Sequence, residues 1–168
     1  MDKGKIIYEE KKNSFVAIVF LSLWAIFCIF ALVYQSVLKL GDIGEEPAPS
    51  WVYLLFLIFA IICLFAFKRI HIIITAEDIY IGFNKIFSKK IRFEEIERVE
   101  MDNKSYGGSG VRTTIAKGKI RTAYNVGQPR IVIAINNKKR EIAFSTNNPE
   151  KVIKIVKSHI KKHGYKFN

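Results

Sequence analysis

The residues in this sequence best suited to chemistry are a glycine-rich stretch and the side chains near it. Its glycines would expose backbone N–H groups to an anion, and the neighbouring arginine would add a bidentate partner. The candidate binding residues are Tyr106, Gly107, Gly108, Gly110, Arg112 and Tyr124. The stretch lacks the strand-to-helix context and the Gly-Lys-Ser/Thr ending of a P-loop. A simple turn between strands, with both tyrosines packed in the core, is therefore the alternative interpretation.

Other reactive side chains form no recognisable catalytic group. His159 and His163 have the i,i+4 spacing of two metal ligands on one helical face, but no acidic or cysteine partner lies nearby in sequence. Neither a nucleophile elbow nor a zinc-protease motif is present in the sequence. We therefore expect no metal site, no cofactor and no enzymatic activity.

Two long apolar runs determine where the protein acts. Residues 15–34 and 51–67 contain no Asp, Glu, Lys, Arg or His. Each run is long enough, or nearly so, to cross the roughly 30 Å hydrocarbon core of a bilayer as a helix. The sequence predicts a transmembrane hairpin over residues 15–69, with helices at about 15–38 and 51–67 and an outer loop at 39–50. A cleaved signal peptide is disfavoured because the first run is too long and no small-x-small site follows it.

Charges beside the two runs predict their orientation. Lysines precede the first run, Lys68 and Arg69 follow the second, and the connecting loop has more acidic than basic residues. Since Lys and Arg near membrane ends stay on the cytoplasmic side, both termini should be cytoplasmic and the protein should cross the cell membrane twice. Residues 1–14 then form a basic cytoplasmic N-terminus.

Residues 70–168 change in character from apolar to β-rich and basic. Short β-prone segments separated by turn residues predict about seven strands, and Glu94 and Glu95 predict a single helical turn. One of the strands is predicted at residues 86–93. Pro149 follows Asn148 at a helix start, and Val152, Val156 and Ile160 fall on one helical face. The predicted fold class is α+β: a membrane hairpin, then a bent sheet or open barrel with a C-terminal helix at one end.

Five segments of the β-rich part resemble a known family. They are Ile72 to Phe83, Phe93 to Ile96, Tyr106 to Arg112, Ala123 to Val126 and Ile142 to Val152. Their order is similar to that in small bacterial and archaeal membrane proteins in which a two-helix hairpin precedes a pleckstrin-homology-like (PH-like) domain. The resemblance implies a PH-like fold for residues 70–168 and a non-enzymatic role. Ser109 stands where that family often has Trp, so no aromatic role in this loop is implied.

Positive charge in the β-rich part points to an anionic partner. Residues 68–168 hold 22 Lys and Arg against 9 Asp and Glu, a difference of 22 − 9 = +13, whereas the whole chain carries +12. Each Lys or Arg held near an anionic leaflet contributes about 1 kcal/mol of attraction. The main candidates for membrane-surface contact are Lys68, Arg69, Lys85, Lys89 and Lys90. The lysines of the last helix form a second candidate face, and an ordinary solvated surface is the alternative for both.

Three function classes remain open at this point. The first is a membrane-anchored PH-like binding or scaffold module that presents its basic β-domain to anionic inner-leaflet lipid, to a protein partner or to another copy of itself. The second is a membrane-tethered nucleic-acid binder, which ranks lower because no reading helix or aromatic stacking pattern is evident. The third, an enzyme or transporter, lacks catalytic groups and a polar path between the helices.

Overall fold

A computed structural model of the chain describes residues 5–38, 48–84, 86–102, 108–116, 118–136 and 139–162. Contacts within the chain define two compact units, one formed by residues 15–68 and the other by residues 1–14 together with 69–168. We call them the helical unit and the β unit. The N-terminal residues therefore belong to the β unit and are not a separate segment.

The helical unit consists of α1 (Phe15–Leu32), a π-helical extension (Val33–Val37) and α2 (Ser50–Phe67). Both helices are long and apolar enough to cross a membrane. They contact each other through edge-on aromatic pairs, with ring centroids 6.1 Å apart for Trp24 and Phe56. Cys28 and Ala31 on α1 and Ala60 on α2 are buried. Most of their large apolar side chains are exposed, unlike those of a core helix in a soluble protein.

The β unit contains nine strands in the described residues, arranged in two sheets. The first sheet has the order β1-β2-β3-β4, and its strands are β1 (Ile6–Asn13), β2 (Arg69–Thr75), β3 (Asp78–Gly82) and β4 (Ser88–Arg92). All of its neighbouring strands are antiparallel. The helical unit is thus inserted between β1 and β2, which are paired neighbours.

The second sheet has the order β5-β8-β9-β7-β6. Its strands are β5 (Ile96–Met101), β6 (Gly110–Ala116), β7 (Lys119–Asn125), β8 (Arg130–Ile135) and β9 (Arg140–Ser145). A 3₁₀ turn (Phe93–Glu95) joins the sheets, as the sequence predicted, and α3 (Pro149–Lys162) follows the last strand. The two sheets form no closed barrel.

Branched apolar residues at alternate positions build the core between these elements. Ile70, Ile72 and Ile74 on β2 are fully buried, as the period-2 pattern requires for a half-buried strand. Helix α3 buries Val152, Val156 and Ile160 against β5, β8 and the 3₁₀ turn. This confirms the apolar helix face expected from the sequence.

The strands differ from the sequence prediction in two places. Strand β1 was not predicted, because its buried positions hold polar side chains that give no hydrophobic alternation. The strand predicted at residues 86–93 is shorter, since β4 covers only Ser88–Arg92. Ile86 and Phe87 lie in the preceding turn and are exposed.

Buried polar contacts attach β1 to the second sheet. The Glu10 carboxylate accepts hydrogen bonds from the Tyr8 and Thr146 hydroxyls, both at 2.6 Å, and from the Asn147 backbone N–H at 2.5 Å. The Lys12 ammonium donates to the carbonyl oxygen of Gln128 at 2.7 Å. Burial lowers the pKa of Lys12, and the Glu10 charge partly opposes that effect.

Several contacts connect β7 and the residues after it with the first sheet. Near its start it lines a cleft together with Lys89 of β4, and its Tyr124 lies close enough to Tyr80 of β3 for that group to raise its pKa. Just beyond its end, Gln128 accepts the hydrogen bond from Lys12 of β1. These contacts connect the two sheets along the length of β7.

The buried Glu10 contacts generate a stability prediction. Replacing Glu10 with Gln should lower the free energy of unfolding by about 2–4 kcal/mol, because it weakens several charge-assisted hydrogen bonds at a buried site. Urea unfolding of the full chain in detergent micelles, followed by circular dichroism, measures this change. The matched control is Glu9→Gln on the same strand, where the exposed Glu9 pairs with His71 and Lys11. That change should cost under about 1 kcal/mol, and equal effects would contradict the prediction.

Candidate functional site

The beginnings of β7 and β9 lie side by side because these two strands run parallel. The two strands belong to different hairpins, β6–β7 and β8–β9, yet Ile120 pairs with Arg140 in the ladder between them. The Ile120 N–H also donates to the carbonyl oxygen of Lys139 at 2.7 Å. Parallel pairing brings the starting residues of both strands, Lys119 and Arg140, to the same edge of the sheet.

A cleft of about 270 Å³ opens beside these two strand starts. Its apolar lining comes from Ile120, Ile135 and Ile142, and its hydroxyl groups come from Thr122 and Tyr124. Burial raises the pKa of Tyr124, and the nearby Tyr80 adds to the effect. The Tyr124 phenol is therefore a neutral hydrogen-bonding group at physiological pH.

Charged side chains of both signs line the rest of the cleft, but the acids are already engaged. Glu141 lies 3.2 Å from Arg121 Nε and 3.6 Å from Lys119 Nζ, and Glu95 lies 3.4 Å from Arg92 Nη2. The lining also includes Lys89 and Arg140.

Lys89 and Arg140 are the cations of the cleft that remain available. Both side chains are exposed, and neither has an acidic partner within 4.0 Å in the described part of the chain. An aliphatic floor, two hydroxyls and two available cations can hold a small anion that also has an apolar portion.

A buried chain of alternating charges lies on the other face of the same strands, where Arg121 lines the pocket beside Arg112 and pairs with Glu141 in the ladder. Arg130 Nη2 lies 3.0 Å from the Asp102 carboxylate, and Arg121 Nη1 lies 3.6 Å from it. Arg121 in turn contacts Glu141. Sequence reasoning missed this network, since its members come from four different strands or strand ends and only the fold brings them together.

The glycine-rich stretch and Tyr124 do not form one site. Strand pairing places Val111 opposite Tyr124 and Arg112 opposite Ala123, so Tyr124 and Arg112 lie on opposite faces of the sheet. Gly108, Gly110 and Arg112 line a separate pocket of about 90 Å³ together with Arg121 and Asn125. The Asn125 amide donates to the carbonyl oxygen of Gly108 there.

Two members of the predicted binding set, Tyr106 and Gly107, lie outside the described residues. The small pocket beside the remaining glycines has a volume comparable with a few water molecules. Arg121 in this small pocket already pairs with two carboxylates. Arg112 is therefore the main available cation of the pocket among the described residues. The cleft beside β7 is the larger and better equipped of the two sites.

The basic residues predicted to contact a membrane surface have different surroundings in the structure. Lys68 Nζ lies over the Phe65 ring at 4.8 Å, and Arg69 begins β2. Lys90 pairs with Asp78 at 2.7 Å, whereas Lys89 lines the cleft. Lys85 lies outside the described residues.

The helix lysines form a solvent-facing surface. Lys151, Lys154, Lys157 and Lys161 are exposed on α3, and Lys151 Nζ lies 5.3 Å from the centroid of the Tyr8 ring.

The described histidines have structural contacts. The His159 ring stacks on Phe93 with centroids 4.9 Å apart, and its Nδ1–H donates to the Ile155 carbonyl oxygen at 2.9 Å. His71 Nε2 lies 2.8 Å from Glu9. The described residues include no group of three or more His, Cys, Asp or Glu side chains placed to hold a metal ion. His163 lies outside them.

Comparison with models of known protein families, with curated proteins and with solved structures gave no match.

The charge cluster around Glu141 generates a prediction. Replacing Glu141 with Gln should lower the free energy of unfolding by about 1–3 kcal/mol, because Arg121 is largely buried and loses a charged partner. Urea unfolding of the full chain in micelles measures the change. Glu100→Gln is the control, since Glu100 is exposed and lies 3.6 Å from the exposed Arg98. A loss no larger than that of the control would show that Glu141 does not stabilise the β unit through its contact with Arg121.

Proposed function

We propose that this protein is a membrane-anchored, PH-like binding module that holds a basic β domain at the inner membrane surface and binds an anionic headgroup in the cleft beside β7. The observation that carries the proposal is the cleft itself, where Lys89 and Arg140 stand over an aliphatic floor with the Thr122 and Tyr124 hydroxyls. In this proposal the protein binds its ligand without catalysis, and the Tyr124 and Thr122 hydroxyls serve as hydrogen-bonding groups.

Membrane anchoring is supported by the exposed apolar surface of the helical unit. Phe20, Leu23 and Phe59 are each more than 60% exposed, as are many side chains around them. Such a continuous apolar surface is far larger than soluble monomers carry, and a lipid environment would accommodate it. The hairpin then anchors the chain in a cell membrane.

The pairing of β1 with β2 supports two crossings that return to the same side. Asn13 ends β1 and pairs with Arg69, which begins β2. Since α1 follows β1 and α2 precedes β2, the chain leaves and re-enters the β unit at the same end of the first sheet. Two spanning helices connected in this way leave the whole β unit on one face of the membrane, and its excess of Lys and Arg favours the cytoplasmic face.

A PH-like identity is supported by the order of the elements. A four-stranded antiparallel sheet, a second sheet and a C-terminal helix succeed one another, as in the family that the sequence resembles. The chain departs from that simple plan in its parallel β7–β9 pair and in the strand contributed from before the hairpin.

The chemistry of the cleft favours a phosphate-bearing anion with an apolar portion. Two cations can contact phosphate oxygens, the hydroxyls can donate to them, and the isoleucines can cover a glycerol or acyl carbon. An anionic phospholipid of the inner leaflet and a soluble organic phosphate share this chemistry. The tether favours the lipid, because it holds the cleft close to a surface rich in such headgroups.

Retention of anionic lipid tests this proposal. The full chain, purified in detergent, is titrated with phosphatidylglycerol or phosphatidylcholine, and native mass spectrometry counts the bound lipid. We expect preferential retention of phosphatidylglycerol, and the double variant Lys89→Gln/Arg140→Gln should weaken it by about 10- to 30-fold, since two cations contribute about 1 kcal/mol each.

The control removes equal charge elsewhere. Lys154→Gln/Lys157→Gln alters two exposed lysines of α3 and should leave retention within about twofold of the unchanged protein, since neither lines the cleft. Equal losses in the two double variants would show that binding follows net charge alone and would refute the cleft. Competition by glycerol phosphate would identify a soluble organic phosphate as the preferred ligand.

A further inference from the structure

The turn between β3 and β4 presents an apolar tip. Ile86 is 83% exposed, more than any other large apolar side chain in the described part of the chain, and Phe87 beside it is 41% exposed. The exposed side chains of the helical unit have a membrane to accommodate them, whereas Ile86 and Phe87 belong to the β unit. Two adjacent exposed apolar side chains on one turn suggest an interaction site.

Backbone and side-chain contacts connect the described residues of this turn. The Asn84 Oδ1 accepts the N–H groups of Ile86 at 2.9 Å and of Phe87 at 2.8 Å. The Phe83 N–H donates to the Phe87 carbonyl oxygen at 3.0 Å. At Gly82, an added Cβ would lie 2.6 Å from the Phe87 carbonyl oxygen, so the turn requires glycine there. Ile86 and Phe87 therefore belong to a turn whose backbone is hydrogen-bonded on both sides of them.

The register of the first sheet places this turn at the end from which both helices leave. Asn13 pairs with Arg69 at that end. In sequence, Asn13 lies just before the helical unit and Arg69 follows it directly. One strand over, Gly82 pairs with His71, and Gly82 also pairs with Ser88 across the turn. The same end of the sheet therefore holds the last residues of β1 and β3 and the first residues of β2 and β4.

Cations accompany the apolar tip. Lys89 lies two residues after Phe87 and has an exposed side chain, and Lys85, which lies outside the described residues, precedes Ile86 in the sequence. Apolar side chains with neighbouring lysines match the layered chemistry of a bilayer interface, where acyl carbon lies below a layer of phosphates. A soluble protein partner would not explain why this pattern occurs at the sheet end that carries the two membrane helices.

We infer that Ile86 and Phe87 insert into the interface of the same bilayer that the hairpin spans, with Lys89 near them contacting lipid phosphate. The inference rests on the proposed membrane anchoring. Insertion gives the β unit a third attachment besides its two helix connections and limits its rotation on the membrane. It also holds β4, and with it Lys89 of the cleft, close to the headgroups.

Depth-dependent fluorescence quenching tests the insertion. In a Cys28→Ala/Cys63→Ala background, Ile86→Cys is labelled with the dye NBD, and the full chain is reconstituted in nanodiscs with or without lipids carrying a doxyl quencher near the headgroup. We expect blue-shifted emission and quenching several-fold stronger than at the control. The control is Ala76→Cys in the same background, an exposed position in the turn at the far end of β2 and β3.

Each outcome decides the inference. Water-like emission at position 86, quenched no more than at position 76, overturns it. Blue-shifted emission without quenching by the lipid-borne doxyl group means that the tip packs against protein, which overturns it as well. Lipid retention in the cleft is measured separately on the same labelled chain. A negative quenching result with normal retention therefore rejects the inserted tip alone, whereas a chain that does not reconstitute into nanodiscs contradicts the membrane anchoring.

Discussion

The pairing of β1 with β2 is the constraint on which the rest of this structure depends. It joins the residues before the hairpin to those after it, so the first sheet cannot form without both. Its buried Glu10 and Lys12 then contact the loops that follow β7 and β9. A charged pair buried at this point is costly unless every partner is in place. The same contacts therefore fix where the second sheet lies relative to the first.

The cleft is a consequence of a second constraint, the parallel pairing of β7 and β9. An antiparallel neighbour would have placed the start of one strand beside the end of the other. Parallel pairing instead gathers the cationic beginnings of two strands, and it sets Arg121 against Glu141 in the ladder. That ladder position leads to the buried charges of Asp102 and Arg130. Arg140, at the start of β9, takes part in none of these ion pairs and lines the cleft.

Sequence patterns predicted those parts of the fold whose burial is apolar. The alternating isoleucines of β2 and β3, the single helical turn before β5 and the apolar face of α3 all follow directly from hydrophobic period. Strand β1 escaped because its inward positions are Tyr8, Glu10 and Lys12, so its alternation is one of burial and not of hydrophobicity. The predicted site was only partly recovered, with Tyr124 in the cleft and Arg112 on the opposite face. That separation depends on strand register, which a single sequence leaves open.

Register also explains why Ile86 can remain exposed. Ile86 is exposed on a turn that needs Gly82 and Asn84, and it gains nothing from packing within the β unit. Packing inside the β unit therefore does not explain why an isoleucine occupies this position. The edge that holds this turn also holds both connections to the helical unit. An apolar side chain at that end of the sheet is stabilised when it reaches lipid, because its surface is then removed from water. The position of the turn, more than its composition, is what connects the β unit to a membrane surface.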